Sequence, residues 1–387
     1  MRSLRGTAAV VGVGESELGK LPDATGLSLR AQAARRAVED AGLEPADVDA
    51  IFTTAGNGFP AVDLAEKLGL KAKVMDSTLM GGASFVSYLT RAAAAIEAGA
   101  CSCALVVYGE ASWANLQRKG GLYGGQHALV PERIEFEDIH GNFLIASYAM
   151  AARRHMHQYG TTPEDLASVA VLARTNASRN PKAQMREPIT IDDVLSSRLV
   201  ADPLHLLDCC GVHDGGAAYV VVGRDRAARM SRRPVYFLGG GEAATHNLIS
   251  QMPDLTTTAA VESGRQAFEM AGVDPSDIDV AEIYDAFTYL PIIFLEDLAF
   301  CAKGDAGSMI RSGACALDGS LPLNTHGGAL SYAQPGMHGA FLIVEAVRQL
   351  RGEAEGRQVP DANLALVHGN GGVLSVQSTA ILGTGPS

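Results

Sequence analysis

The feature that most constrains the fold is an internal repeat with an offset of 230 residues. Ala37–Ala50 reads AVEDAGLEPADVDA and Ala267–Val280 reads AFEMAGVDPSDIDV, and seven of the fourteen positions are identical. Each copy ends a predicted helix at an Ala-Gly pair, places Pro after an acidic residue and then enters an apolar strand. Gly allows a left-handed helix end, and Pro starts the next turn. Because the copies begin two halves of similar length, the sequence predicts a duplicated fold.

Short apolar segments alternate with helical segments in both halves. The pattern predicts strands at 8–13, 50–54, 104–108, 217–222, 235–238, 280–283, 364–367 and near 378–382. It predicts helices at 27–41, about 83–98, 261–271, 287–300 and 339–350. Apolar strands that are separated by helices are typical of βαβ units. We therefore expect an α/β protein with two such units and a largely parallel sheet.

The repeat and a change in composition give the expected domain limits. Residues 1–108 together with about 203–238 are predicted to form the N-terminal half, and residues 239–387 the C-terminal half. Residues 109–202 are richer in Tyr, His, Met and charge, and they match nothing in the second half. We interpret them as an insertion that covers the functional site.

Composition argues against several classes of protein. The 387 residues include 31 basic and 43 acidic side chains, and the resulting net charge of −12 disfavours nucleic-acid binding. No segment reaches the roughly 18 unbroken apolar residues of a membrane span, and the first 30 residues lack an apolar signal core. The six cysteines show no C-x-x-C spacing. We therefore predict reduced thiols, no metal site, no membrane partner and a cytoplasmic location.

Several motifs resemble, in chain order, those of the thiolase superfamily. They are STLMGGAS at 77–84, EIYDAFTY at 282–289, PLNTHGGALS at 322–331, EAVRQLRG at 345–352 and VHGNGG at 367–372. The chain is most similar to the branch that contains sterol-carrier-protein-linked thiolases and thiolase-like lipid-transfer proteins. This resemblance implies a thiolase fold, in which duplicated βαβαβ halves pack as a five-layered α-β-α-β-α sandwich.

The resemblance also implies a nucleophilic cysteine at the start of a buried helix, and this chain lacks it. In the family, a Gly closes that helix seventeen residues after the cysteine, and counting back from Gly99 leads to Gly82. The segment 80–84 contains no cysteine, and its one hydroxyl, that of Ser84, fits a helix N-cap better than a nucleophile. Ordinary thiolysis through a cysteine is therefore not expected.

The family's second and third acid–base positions are also informative. Gln334 stands where the resemblance implies a His, and an amide cannot move a proton near neutral pH. Tyr332 or His338 could occupy the nearby space. In the last glycine-rich loop, His368 and Asn370 resemble the pattern of the sterol-carrier branch.

Tyr284 stands where the family has the Asn or His of N-E-A-F or H-D-C-F. It directly follows a predicted strand, at the carboxyl end where α/β sheets present catalytic groups. A phenol can polarise a hydroxyl and take its proton, whereas the alternative is a core tyrosine that is bonded to the backbone. We predict Tyr284 as the base, Tyr332 as a second acid/base and His368 as an enolate stabiliser or proton donor. The candidate substrate-binding residues are Gly82, Ser84, Asp285, His326, Gln334 and Asn370.

A scaffold that stabilises a thioester enolate can break a carbon–carbon bond without a cysteine. We therefore predict a retro-aldolase that cleaves a β-hydroxyacyl-CoA, resembling the steroid side-chain aldolases. A thiolase or acetyl-CoA C-acyltransferase and a non-catalytic acyl-CoA-binding subunit are the alternatives. Coenzyme A is expected as part of the substrate, with no cofactor bound by this chain. The resemblance further implies a homodimer and a small separate partner with a zinc ribbon and an OB-fold.

Overall fold

The computed structural model describes residues 4–54, 58–118 and 135–386. The strands are β1 (Ala8–Glu15), β2 (Ala50–Phe52), β3 (Val74–Asp76), β4 (Cys103–Ala111), β5 (Leu199–Ala201), β6 (Leu204–His205), β7 (Asp214–Gly223), β8 (Val235–Ala244), β9 (Val280–Ile283), β10 (Leu364–Gly371) and β11 (Val376–Gly383). The helices are α1 (Gly26–Asp40), α2 (Pro60–Leu68), α3 (Ala83–Glu97), α4 (Ser112–Arg118), α5 (Leu144–Tyr159), α6 (Pro163–Ser178), α7 (Ile191–Ser196), α8 (Arg224–Ala227), α9 (Ala260–Ala271), α10 (Tyr289–Asp297), α11 (Ala306–Arg311) and α12 (Gly339–Arg351).

The main sheet is built from two related halves. Its strand order is β3-β2-β4-β7-β1-β8-β11-β10-β9. The series β2-β4-β7-β1 on one side is mirrored by β9-β10-β11-β8 on the other. The halves meet where Ala9 pairs with Tyr236 and Val10 with Val235. The duplication that the repeat predicted is therefore present in the sheet.

The expectation of a largely parallel sheet is wrong. Among the described strands, only the pairs β2–β3, β2–β4 and β9–β10 are parallel. The strands β1, β7, β8 and β11 run antiparallel to every neighbour. A continuous apolar run shows that both faces of a strand are covered, but it does not show the direction of the adjacent strand.

The last Asp of each repeat copy has the same structural role. Asp49 accepts a hydrogen bond from the backbone N–H of Cys103, and Asp279 accepts one from that of Leu364, both at 2.9 Å. Cys103 and Leu364 are the first residues of β4 and β10. Each copy therefore fixes the start of the parallel strand that lies beside it.

Helices and sheet halves alternate in layers. Helix α1 packs on β1, β4 and β7, and α9 packs on β8 and β11. Helices α3 and α12 lie between the halves and contact strands of both. This arrangement is the five-layered sandwich that the resemblance implied. Among the described helices, none is long and apolar enough to cross a membrane.

The predicted limit between the two halves, at residue 238, lies inside β8, which pairs with β1 and β11. The described part of the insertion 109–202 contains the end of β4, helices α4 to α7 and β5. Residues 119–134 of the insertion lie outside the described residues.

Candidate active site

Tyr284 lies at the carboxyl end of β9 and forms the centre of the site. Its backbone N–H donates to the carbonyl of His368 on β10 at 3.0 Å, and 5% of the residue is exposed. The phenol oxygen accepts a hydrogen bond from Nε2 of Gln334 at 3.2 Å. Two candidates that lie 50 residues apart in sequence are therefore in direct contact.

The ring of Tyr284 covers Gly82 at the N-terminus of α3. A Cβ at position 82 would stand 2.2 Å from Cε2 of Tyr284 and 2.9 Å from the carbonyl oxygen of Asn370. Real Cβ atoms do not approach other atoms so closely, so glycine is required here. The place that the resemblance gives to the nucleophilic sulfur is filled by the phenol ring.

The surroundings keep Tyr284 protonated. Burial raises the pKa of the phenol, and the hydrogen bond from Gln334 offsets only part of this rise. The ring of His338 meets that of Tyr284 edge-on, with centroids 6.5 Å apart and planes at 81°. A neutral phenol acts as a base only if its own proton can move to another group.

His326 lies in a row of buried titratable groups. Its Nε2 is 2.8 Å from Nε2 of His338, and its Nδ1 is 3.0 Å from Oε2 of Glu282. Burial lowers the pKa of His326, but Glu282, together with Glu345 and Asp285, more than offsets burial, so the pKa is raised. Burial and the neighbouring His326 together lower the pKa of His338. Sequence reasoning missed Glu282, although a carboxyl group inside the apolar strand VAEI was a usable signal.

Asp285 is directed toward a loop backbone. One carboxyl oxygen accepts the N–H of Ala329 at 2.6 Å, and a Cβ at Gly328, where φ is +63°, would stand 1.9 Å from the other. Burial raises the pKa of Asp285 to about 7, although the Ala329 amide opposes the rise. The carboxyl group holds the π-helical turn Gly328–Tyr332 against β9.

Tyr332, the predicted second acid/base, donates its hydroxyl to Oε1 of Glu15 at 2.6 Å. Its ring lies beside that of His326, with centroids 5.1 Å apart. Glu15 also pairs with Arg348 at 2.6 Å and with Lys182 at 3.4 Å. The hydroxyl of Tyr332 is thus engaged by a buried ion pair, and its ring supports His326.

The Glu15–Arg348 pair gives a testable expectation for stability. Burial alone would raise the pKa of Glu15, but Arg348 and Lys182 lower it to about 2. This stabilisation is complete above the ordinary glutamate pKa and is lost as the pH falls toward 2. We expect Glu15→Gln to lower the free energy of unfolding at pH 7 by about 3–5 kcal/mol, because it leaves Arg348 buried without its partner. Urea titrations at pH 7 and pH 3 measure both effects.

Lys182→Met is the matched control for Glu15→Gln. The Lys182 side chain is 58% exposed, so its ion pair with Glu15 is worth only about 0–1 kcal/mol. Equal losses in the two variants would contradict the importance of the buried pair.

His368 is placed in the core. Its Nδ1 lies 2.9 Å from Oγ1 of Thr379, its Nε2 lies 3.1 Å from Oε1 of Gln377, and its ring packs on Phe294. Burial lowers its pKa to about 3. Both ring nitrogens are occupied, so this placement does not support the predicted role as proton donor. The contribution of His368 to the site is the carbonyl that binds the amide of Tyr284.

Asn370 and Ser84 hold the loops around Gly82. The amide of Asn370 accepts from Gln377 at 2.9 Å and donates to the hydroxyl of Tyr148 at 3.0 Å. The hydroxyl of Ser84 accepts the backbone N–H of Met80 at 2.7 Å and closes the turn before α3. Tyr148, on α5 of the insertion, was missed because its helix gave no site-specific pattern.

None of the six cysteines is an activated thiol. All are free, and burial raises the pKa of Cys101 to about 11 and that of Cys103, Cys209, Cys301 and Cys315 to about 12. Cys210 lies beside Gln334 and Asp285, and burial raises its pKa as well. A nucleophilic cysteine needs the opposite shift.

Two protein families match this chain over most of its length. The family described as "Thiolase, N-terminal domain" matches residues 7–225, and "Thiolase C-terminal domain-like" matches residues 241–384. The chain belongs to the thiolase family.

Relatives of this thiolase-family chain differ in their named activities. It is 34% identical to a "Steroid side-chain-cleaving aldolase" of Thermomonospora curvata, over 96% of this chain and 97% of that one. It is 35% identical to an "Acetyl-CoA acetyltransferase" of Methanothermobacter thermautotrophicus, over 94% and 96%. A solved structure described as "Ltp2-ChsH2(DUF35) aldolase" superposes with a TM-score of 0.89 at 35% identity, over 98% of both chains. Because identity does not separate the two activities, the site residues have to do so.

Proposed function

We propose that this protein cleaves the α–β carbon bond of a β-hydroxyacyl-CoA by a retro-aldol reaction. The proposal rests on one observation. The ring of Tyr284 fills the space next to Gly82 that the side chain of a nucleophilic residue at this position would occupy. The site therefore offers a phenol in place of a thiol. The names of the aldolase relatives support the same reaction class.

The reaction needs a base at the β-hydroxyl, stabilisation of an enolate and a proton for the α-carbon. Tyr284 takes the hydroxyl proton, while the N–H of Gln334 stabilises negative charge that develops on the phenol oxygen. The bonding electrons pass to the thioester as an enolate, and the β-carbon leaves as a ketone or aldehyde. The positive end of the α3 dipole, at Gly82, lies beside Tyr284 and favours the enolate oxygen.

The acyltransferase alternative requires a group that can carry an acyl intermediate. The segment 80–84 has no cysteine, and the thiol of Cys210 is disfavoured as a thiolate. A non-catalytic binding subunit would not need a buried phenol that is hydrogen-bonded to Gln334 at the carboxyl end of β9. The geometry supports the lyase best.

The proposal includes partners. Coenzyme A enters as part of the substrate, and no cofactor is assigned to this chain. We include a separate partner protein of the zinc-ribbon and OB-fold kind, because a solved aldolase relative is described together with ChsH2(DUF35). We also include a homodimer in a cytoplasmic setting. Met75 on edge strand β3 is exposed, and Phe59, at the start of the helix α2 that contacts β3, is 77% exposed, which supports a second copy at that edge.

Mass spectrometry of the products tests the reaction. The full chain is incubated with a β-hydroxyacyl-CoA, and separately with a β-ketoacyl-CoA plus free CoA. We expect the hydroxy substrate to give a carbonyl compound and a shortened acyl-CoA, with no covalent adduct on the protein. Thiolysis of the keto substrate, or an acyl group on any cysteine, would establish the acyltransferase alternative instead.

A further inference from the structure

Three buried titratable side chains form a row beside Tyr284. Glu282 belongs to β9, His326 precedes the π-helical turn, and His338 precedes α12. Oε2 of Glu282 lies 3.0 Å from Nδ1 of His326, an ion-pair distance without hydrogen-bonding geometry, and Nε2 of His326 lies 2.8 Å from Nε2 of His338. The cleavage steps proposed for Tyr284 and Gln334 use none of these groups.

The short contact between the two imidazoles requires a shared proton. At 2.8 Å, one Nε2 carries a proton and donates a hydrogen bond to the other Nε2, because two unprotonated or two protonated nitrogens would repel each other. Transfer of this proton across the contact exchanges donor and acceptor. Oε1 of Glu282 accepts the backbone N–H of Thr325 at 3.2 Å and lies 2.8 Å from its hydroxyl, which is equally close to Oε1 of Glu345, so Oε2 of Glu282 remains for His326. The row can therefore hold an added proton at more than one place.

The other carboxyl groups near this row are bound to partners of their own. Glu345 also lies near His326, but Arg357 binds both of its carboxyl oxygens at 2.7 Å. Asp285 is bonded to the π-turn backbone, and Glu15 is engaged by Tyr332, Lys182 and Arg348. Glu282 is therefore the carboxylate that is directly paired with His326.

The far end of the row is open at Nδ1 of His338. This nitrogen is buried, and within the described ranges no group stands in hydrogen-bonding geometry to it, although the backbone of Ala333 approaches the ring. The next residue, Gly339, is so close to the Gly82 carbonyl oxygen that a Cβ there would lie 2.1 Å from it. The backbone next to His338 and the ring of Tyr284 therefore both contact Gly82, at the first turn of α3.

We infer that His338 delivers the proton to the α-carbon in the proposed cleavage, and that His326 and Glu282 are positioning residues that store this proton during the reaction. The inference rests on the proposed function. As the β-hydroxyl proton passes to Tyr284, the phenol's own proton moves through one water to His338. The carbon–carbon bond breaks, its electron pair forms the enolate, and His338 then protonates the α-carbon. The protein ends with the protons it began with.

Exchange of the α-hydrogens isolates this step from bond cleavage. The full chain is incubated in D₂O with the shortened acyl-CoA product, and deuterium uptake is followed by mass spectrometry. We expect His338→Asn to reduce the exchange rate by roughly 100-fold or more, the range of one lost acid–base group. Glu282→Gln and His326→Asn should each reduce kcat and exchange by about tenfold with KM within about twofold, because substrate contacts are kept.

His155 and Glu296 provide a matched control pair. They form another fully buried His–Glu contact, at 2.7 Å, and they do not belong to the site. His155→Asn and Glu296→Gln should lower Tm to a similar degree as the variants of the row, while the exchange rate of the folded enzyme is retained. If His338→Asn does not fold, the kcat and the α-hydrogen exchange rate of His326→Asn and Glu282→Gln test the inference in its place.

Each outcome separates the inference from the proposed function. Exchange at the wild-type rate in folded His338→Asn, alongside active cleavage by the wild type, would overturn the inference alone. If the wild type exchanges the α-hydrogens, His338→Asn does not, and no β-hydroxyacyl-CoA is cleaved, the proton-transfer role of His338 stands and the proposed retro-aldol function is wrong. A wild type that neither exchanges nor cleaves would overturn both.

Discussion

Tyr284→Phe is expected to lower the rate of carbon–carbon cleavage by roughly 10²- to 10⁴-fold, the contribution of one general acid–base group. The ring that packs on Gly82 stays in place, so the substitution removes the hydroxyl and little of the packing. The partner that loses a hydrogen bond is the amide of Gln334. We expect kcat to fall while KM for the acyl-CoA remains within about twofold, which steady-state kinetics with a β-hydroxyacyl-CoA would measure.

Tyr289→Phe is the matched control, five residues further along the chain. Tyr289 is also fully buried, and its hydroxyl makes a single long contact of 3.4 Å to the carbonyl of Leu255. It should cost about 1 kcal/mol of stability or less and leave kcat unchanged. If Tyr284→Phe retains wild-type turnover, Tyr284 is not the base.

The second large effect concerns position 82. We expect Gly82→Cys to destabilise the fold by about 1–3 kcal/mol and to abolish cleavage, because its Cβ would stand 2.2 Å from the ring of Tyr284. The introduced thiol cannot act as a nucleophile while that ring occupies its space. Thermal unfolding and the cleavage assay measure the two losses.

The double variant Gly82→Cys with Tyr284→Asn tests the steric cause. Removing the ring should restore part of the stability that Gly82→Cys loses, which gives a favourable coupling of about 0.5–3 kcal/mol between the two sites. A thiol-alkylating reagent should then label the new cysteine. Strictly additive losses would show that the ring and position 82 do not compete. Gly99→Cys, at an open position with positive φ, controls for alkylation of a new surface thiol.

Local patterns predicted the elements that carry the site. Strand 280–283 has the predicted limits, and the predicted helix at 83–98 ends one residue early. Capping and apolar periodicity act over a few residues, so they can be recognised in one sequence. The position of Tyr284 at a strand end was predicted for the same reason.

The partners of the site residues could not be predicted in this way. The hydroxyl of Tyr332 binds Glu15, 317 positions away in sequence. The contacts among Glu282, His326 and His338 depend on how β9, a loop and α12 pack together, which no short motif describes. Strand direction was wrongly predicted because burial patterns do not encode it.

The position of β1 in the sheet has a consequence for synthesis of the chain. Every residue of β1 is buried, and its two neighbours are β7 and β8, which extend to Ala244. At roughly 5–20 residues per second, a ribosome needs on the order of ten seconds or more to make those strands after β1 emerges. Until β7 (Asp214–Gly223) has been made, the first apolar strand has neither of its neighbouring strands to pair with. A nascent chain that stops before Asp214 should therefore be held by chaperones or aggregate, and one that extends past Ala244 should begin to resist proteolysis.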